Sequence, residues 1–420
     1  MREQIEGSQA VARAVALCRP EVIAAYPISP QTHIVEGLSD LVRTGELAPC
    51  EYLMVESEFG ALSACIGASA AGARTYTATS SQGLLFMAEA LFNASGLGLP
   101  IVMTVANRAI GSPINIWNDH SDTMSMRDSG WIQLYAESNQ EAVDLHLQGF
   151  RLAERLSLPV MVCMDGFVLT HAFEEVDLPT QGQVDAFLPR FQPQQMLDPQ
   201  DPVTIGAMVG PEAFAEVKYL MHVKQMEALD EIPPIAADFR TAFGRDSGGL
   251  VKPYRLEGAE TVVVALGSVL GTLEEVVDQL RDEGVSVGLL GITCFRPWPV
   301  GEVREALSGA KAVVVVEKAF AVGAGGIVGQ NTRDATRGLP VEVYDVVAGL
   351  GGRPITRASL RRFLDEVVGG RLDPHQLHFL DLDTGLVQRE LERSRRGTRP
   401  GPHAENMLRD IGTVASGAYE

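Results

Sequence analysis

Cysteine is scarce in this 420-residue chain: Cys18, Cys50, Cys65, Cys163 and Cys294 stand far apart, with no C-x-x-C spacing among them. That excludes a disulfide framework and an iron–sulfur or zinc site built from these cysteines, and leaves thiols that pack as small hydrophobes. Basic residues are also in deficit, 34 Lys and Arg against 54 Asp and Glu. The formal net charge of -20 repels phosphate backbones and anionic lipid, so no nucleic acid partner is expected. Long hydrophobic runs are missing. Met1 to Glu6 lacks the apolar core of a signal peptide, Ala10–Leu17 is broken by Arg13, and Ala312–Gly329 is broken by Glu317 and Lys318. A cytoplasmic protein without a membrane span is the expectation. Walker A, G-x-S-x-G and H-E-x-x-H patterns are absent as well, which disfavours those nucleotide, serine-hydrolase and zinc-protease chemistries.

What is present is an ordinary folded composition, 46% hydrophobic and 21% charged, long enough at ~150 residues per domain for about two or three domains. From Glu21 to Asp165 short β-rich runs alternate with small-residue helical segments, the pattern of a parallel α/β sheet. The predicted strands are Val22–Ile28, Tyr52–Val55, Thr75–Thr79, Ile101–Val105 and Pro159–Met164. Residues 201–255 read as a connector whose helix opens at Gly210-Pro211 and runs to about Phe239. A second α/β unit follows over residues 256–365, with strands at Thr261–Leu266, Val285–Leu290 and Ala312–Val316 and a helix from Thr272 to Arg281. Residues 366–420 read as a polar tail.

In such sheets ligands gather where strands end and helices begin, because the free N–H groups of the helices point there. Four of these turns carry polar residues. Ser29 is placed as an N-cap with Pro30 at the first helical position, Glu58 follows Glu56-Ser57, Gln82 sits in Ser80-Ser81-Gln82-Gly83, and Arg108 follows Asn107. One crevice can therefore collect Ser29, Glu58, Gln82 and Arg108. Taken singly, each has a plainer reading: a cap for the serines, dipole compensation for Glu58, a surface ion pair for Arg108. The Asn118–Asp122 cluster has no second His at metal spacing and reads as a hydrogen-bonded loop. Gly323–Gly329 invites a dinucleotide reading, but its spacing is not G-x-G-x-x-G, and a turn-and-packing role is favoured.

The linear order of these runs is specific where single residues are not. Tyr26-Pro27-Ile28-Ser29-Pro30, Glu56-Ser57-Glu58, Thr77 to Leu84, Asn107-Arg108-Ala109, Trp117 to Asp122 and Asp128-Ser129-Gly130-Trp131 together resemble the α subunit of the 2-oxoacid:ferredoxin oxidoreductases, over roughly residues 5–365. A member close to pyruvate:ferredoxin oxidoreductase or to phenylglyoxylate dehydrogenase fits the resemblance. It implies a thiamine-diphosphate-binding-type pyrimidine domain with a parallel sheet (residues 1–200) and a transketolase C-terminal-like α/β domain (256–365). The diphosphate and Mg2+ would be held by a β subunit, since the chain has no Gly-Asp-Gly with a following Asn-Asn. The [4Fe–4S] clusters would lie on a ferredoxin-like subunit, a γ subunit would complete the complex, and coenzyme A would be the co-substrate.

By the same resemblance Glu58 hydrogen-bonds the aminopyrimidine, with Gln82 and Ile28 as further cofactor neighbours, and Arg108 holds the 2-oxoacid carboxylate. Ser29 stands where the family commonly has threonine and donates a hydroxyl to substrate; the lost methyl leaves room for an aromatic 2-oxoacid such as phenylglyoxylate beside pyruvate. Two other readings stay open. One is a nicotinamide-dependent dehydrogenase subunit using Gly323–Gly329. The other is a non-catalytic scaffold docking electron-transfer subunits through Arg389, Arg393, Arg395, Arg396 and Arg399.

Overall fold

The computed structural model describes residues 2–202, 204–397 and 401–412; Arg399 of the basic cluster lies outside them. Strands of the first half are β1 (Arg2–Glu6), β2 (Val22–Ala25), β3 (Glu51–Met54), β4 (Thr75–Thr79), β5 (Val102–Asn107), β6 (Ile132–Tyr135), β7 (Val160–Asp165) and β8 (Phe173–Asp177). The second half adds β9 (Val251–Tyr254), β10 (Thr261–Ala265), β11 (Val287–Ile292), β12 (Cys294–Arg296), β13 (Ala312–Glu317), β14 (Glu342–Val347) and β15 (Leu377–Phe379). Among the described residues, seven strands form a sheet in the order β12-β6-β7-β5-β4-β2-β3, parallel except for β12. Six form a second sheet, β15-β14-β13-β10-β11-β9, parallel except for β9, and β1 pairs antiparallel with β8.

The α/β class read from the sequence is what the chain adopts. β4, β5 and β7 are buried at every position, as a parallel sheet covered on both faces by helices requires. The helix Glu58–Ala70 carries little side-chain bulk and packs directly on β2 and β4. Its start is fixed by Ser57, whose hydroxyl accepts the Gly60 N–H at 3.1 Å. The long helix Phe214–Phe243 runs 30 residues, through Pro233 and Pro234, and lies against Asn139–Leu156 of the first half.

Several boundaries differ from expectation for local reasons. β2 ends at Ala25, because Pro27 has no N–H to give a ladder and the chain leaves the sheet there. β11 begins at Val287, because the Val285 N–H closes the preceding helix on Leu280 O at 2.9 Å. β6 was not foreseen: a four-residue run beside Trp131 is too short for its periodicity to speak. β12 comes from the second half yet completes the first sheet, with Tyr135 N–H bonded to Thr293 O at 2.8 Å and Phe295 edge-on to Tyr135. β9, within the stretch read as connector, and β15, within the stretch read as tail, belong to the second sheet. Within the described part of that stretch, helix Thr384–Arg396 packs on His403–Asp410.

No helix among the described residues is long and apolar enough to cross a membrane. All five cysteines are free, and all but Cys50 are fully buried. Burial pushes each thiol above its ordinary value, so none is poised as a thiolate.

Candidate active site

The carboxyl ends of β2, β3, β4 and β5 lead into the turns that carry Ser29, Glu58, Gln82 and Arg108. Ser29 is not a helix cap. The helix begins at Thr32, and Gln31 turns its side chain inward, accepting the Ile28 N–H at 3.1 Å and donating to Ala78 O at 2.8 Å. That inward bond closes the turn before Pro30 can start a helix, and it leaves Ser29 exposed. With its N–H taken, Ile28 offers the crevice only an apolar side chain. Ser80 occupies a cap position, but its hydroxyl donates to Ala106 O at 2.7 Å on the neighbouring strand.

Arg108 is buried, and its guanidinium rests on two main-chain carbonyls: Nη1 on Ser29 O at 2.9 Å and Nε on Asn115 O at 3.1 Å. Nη2 makes no hydrogen bond among the described residues, and no carboxylate there pairs with it. Burial lowers the Arg108 pKa from its ordinary value, and Asp122 acts against that. A planar cation with one edge committed and one edge free is suited to a carboxylate.

Glu58, also buried, is the first residue of its helix and makes no hydrogen bond or ion pair among the described residues. Its carboxylate lies against Gly83. A Cβ on Gly83 would fall 2.8 Å from Glu58 Oε1 and 2.5 Å from Thr79 Oγ1, so only glycine allows this approach. Thr79 Oγ1 is itself buried without a partner. Beside Gly83, Gln82 accepts a short hydrogen bond from the Ser81 hydroxyl.

Asp122 ties these pieces together. Its Oδ2 accepts the Ser81 N–H at 3.0 Å and the Arg108 N–H at 2.9 Å, and its Oδ1 accepts Asn107 Nδ2 at 2.9 Å and its neighbour Thr123 N–H at 2.8 Å. Burial pushes this carboxyl up to about 6 despite those four donors. Sequence reasoning placed Asp122 in a hydrogen-bonded loop; it lies instead in the short helix Ser121–Ser125, and its carboxylate joins the Gln82 and Arg108 turns. No spacing rule could have found a partner 41 residues away at the start of another helix.

A buried carboxylate without a partner, a hydroxyl orphaned beside it and a glycine that keeps the space between them open are what an amino-substituted ring nitrogen needs, so these residues fit an aminopyrimidine cofactor. The Gly323–Gly329 loop does not fit a dinucleotide. Glu317 already occupies the helix start there, accepting the N–H groups of Ile327, Val328 and Gly329 at 2.8, 2.9 and 3.2 Å, where a pyrophosphate would have to sit. Burial pushes Glu317 up to about 7 against those bonds. In the basic cluster, Arg389 and Arg393 pair with Asp410, and Arg396 pairs with Glu392, so these charges are engaged within the chain.

Comparison with known proteins identifies the family. Residues 13–235 match the family model described as pyruvate flavodoxin/ferredoxin oxidoreductase, thiamine diphosphate-binding, and residues 259–360 match that of pyruvate:ferredoxin oxidoreductase core domain II. The chain is 49% identical over 367 residues to the pyruvate synthase subunit PorA of Methanosarcina barkeri, covering 86% of this chain and 91% of that protein. It is 38% identical to the ketoisovalerate oxidoreductase subunit VorA of Pyrococcus horikoshii, covering 89% and 96%. A solved 2-oxoglutarate:ferredoxin oxidoreductase from Magnetococcus marinus, with 2-oxoglutarate, coenzyme A and succinyl-CoA bound, shares the fold at a TM-score of 0.65 and 22% identity. That match covers 87% of this chain and 65% of the other. One family model spans more than half of the sequence, and a relative is nearly half identical over most of both chains; the chain belongs to the pyruvate flavodoxin/ferredoxin oxidoreductase family, as an oxidoreductase subunit of the α type.

Proposed function

We propose that this chain is the α subunit of a thiamine diphosphate-dependent oxidoreductase that converts pyruvate and coenzyme A to acetyl-CoA and CO2 and passes electrons to partner subunits. The observation that carries the reading is the pairing, at one sheet end, of an unpartnered buried carboxylate with an arginine whose free edge has no carboxylate beside it, Asp122 tying the Arg108 turn to the Ser81–Gly83 turn against which Glu58 lies. The relatives named pyruvate synthase subunit PorA, 43% to 49% identical, support pyruvate.

Bound thiamine diphosphate supplies carbanion chemistry at a thiazolium carbon, by which a 2-oxoacid loses its carboxyl group. Glu58 would hold it, exchanging a proton with a pyrimidine nitrogen, with Gln82 and Ile28 beside the ring. Arg108 Nη2 would bind the substrate carboxylate, and the exposed Ser29 hydroxyl would donate to its carbonyl oxygen. The grip of Arg108 is on the group that leaves, so it orients the substrate and is released with CO2.

The remaining functions belong to partners: a β subunit carrying the diphosphate and Mg2+ site, and γ and ferredoxin-like subunits carrying [4Fe–4S] clusters, because the buried thiols here are no cluster ligands. Leu53, Met54, Phe59, Phe86 and Ile114 stand exposed around the site, a surface suited to cover by another subunit.

In the assembled complex Glu58→Gln should lower CoA-dependent pyruvate oxidation by at least ~100-fold, as loss of a general acid–base group does. Arg108→Leu should raise KM for pyruvate steeply with thiamine content retained. Unchanged kinetics in both variants would sink the reading. A kcat/KM for phenylglyoxylate above that for pyruvate would instead assign the room beside Ser29 to an aromatic substrate.

A further inference from the structure

Apart from the residues just described, three side chains with metal-binding chemistry converge from separate elements. Glu6 ends β1, His33 is the second residue of the helix Thr32–Thr44, and His171 lies in the loop after β7. One ligand atom from each lies within 4.8 Å of the other two, and all three residues are half-buried. His33 Nδ1 is 2.7 Å from Glu6 Oε1, and the two imidazole rings are 4.7 Å apart centre to centre.

We propose that Glu6, His33 and His171 form a binding site for a divalent transition-metal ion of the zinc class, independent of the proposed reaction. Two imidazoles and one carboxylate are the donor set such an ion prefers, whereas Mg2+ seeks an octahedron of oxygens. Bonds of about 2.0–2.1 Å place tetrahedral ligand atoms roughly 3.3 Å apart, so His33 Nδ1 and Glu6 Oε1 at 2.7 Å must open slightly and no pair needs to close by more than about 1.5 Å, both within the reach of side-chain rotation. The three protein ligands leave one position for water.

The backbone under the site is already assembled. Gly7 N–H bonds Ala172 O at 3.0 Å, Ser8 N–H bonds Thr170 O at 2.9 Å, and Gln9 Nε2 bonds the carbonyl of His33 itself at 3.2 Å. The first of these contacts needs glycine: a Cβ on Gly7 would lie 2.2 Å from Leu169 O and 2.4 Å from Asn139 Oδ1. His171 also has the outer partner that metal-binding histidines use. Its Nδ1 is 2.7 Å from the hydroxyl of Thr170, which is wholly buried and accepts the Phe167 N–H at 2.7 Å. With Nδ1–H donating there, Nε2 keeps its lone pair for the ion. A bound ion would clamp the amino-terminal strand and the Phe167 loop to the helix that follows the Ser29 turn.

The test uses the full-length chain, stripped with a chelator, dialysed and titrated with Co2+ alone. One equivalent should bind with a visible absorption band, Zn2+ should displace it, and Zn2+ should raise the melting temperature. His33→Ala and His171→Ala should each abolish the band and the zinc-dependent shift while melting like metal-free wild type, and Thr170→Val should weaken affinity about 10-fold or more. If an alanine variant does not fold, His171→Gln keeps a polar side chain and gives the same readout. Absence of the band in wild type, or a band and zinc shift that survive in the variants, overturns the proposal.

Discussion

Asp122 is wholly buried and surrounded by donors, and both facts bear on how the site responds to pH. Burial lifts its pKa from 3.8 to about 6, so the folded state takes up this proton before the unfolded chain does. The stability it contributes is therefore full in acid and is lost as pH rises from about 4 through about 6. Activity should run the other way. A protonated Asp122 turns an O–H toward N–H groups that need an acceptor, loosening the Ser81 and Arg108 turns, so kcat/KM should fall as pH drops below about 6. In Asp122→Asn an amide NH2 faces donors in either orientation, which should cost about 1–3 kcal/mol for a group left unsatisfied. Denaturant unfolding of the two proteins should show wild type gaining stability over the variant as pH falls from 6 to 4, while the variant loses the wild-type acid limb in its rate profile. A rate profile identical in both would remove Asp122 from the site's positioning.

Among the elements, the turn between β4 and the helix Ser81–Phe86 is the most constrained. Ser81 adopts φ 50°, a left-handed conformation costing a non-glycine residue about 1–3 kcal/mol, and three bonds hold it there: its N–H on Asp122, its hydroxyl on Ala109 O at 2.6 Å and on Gln82. Gly83 then lets the Glu58 carboxylate lie against this turn. Gly83→Ala should displace Glu58 and lower turnover by at least ~100-fold, as deleting the acid–base group does. Gly67→Ala, on the same small-residue helix as Glu58 but with open space around it, should leave activity intact and stabilise the fold by about 0.5–1 kcal/mol. Equal activity in the two variants would refute the close packing. What was legible here divides by distance. The cap at Ser57 is a local bond three residues long, and composition predicts it; the Ser80 hydroxyl answers to Ala106 on the neighbouring strand and the Ser29 carbonyl to Arg108, and no local rule reaches either. Parallel strands such as β7, β10 and β13 were readable because burial on both faces leaves continuous apolar runs, whereas the parallel strands β6, β14 and β15 were not read, nor was β12, whose partner lies across the chain.

For the molecule as a whole, the question is what makes two sheets act as one body around the site. β12 stitches the second half into the first sheet, and a buried charge cluster fastens the facing strand ends. Asp165, at the end of β7, is 2.9 Å from Lys318 Nζ and 2.6 Å from His120 Nε2, and it accepts the Ser268 N–H at 3.1 Å. Burial alone would raise this carboxyl; Lys318 and His120 outweigh it and hold it well below the ordinary range. Its contribution is thus present at neutral pH and lost only as pH falls through that lowered value. The same interface reaches the site. Asn115, whose carbonyl carries Arg108 Nε, donates its side chain to Gly351 O at 3.2 Å, and Asp119 accepts the Gly351 N–H at 3.0 Å. Lys318→Met keeps the length of the side chain but strands Asp165 without its main cation, which should cost about 3–5 kcal/mol in denaturant unfolding at pH 7. The loss should shrink as pH falls, because removing Lys318 takes away the largest of the effects that hold the Asp165 carboxyl down against burial, so the variant takes up a proton at higher pH than wild type. Since the loop under Arg108 leans on the second half, KM for the 2-oxoacid should rise in the variant with thiamine retained. A variant as stable as wild type at pH 7 would mean that the two halves are held by β12 and apolar packing alone.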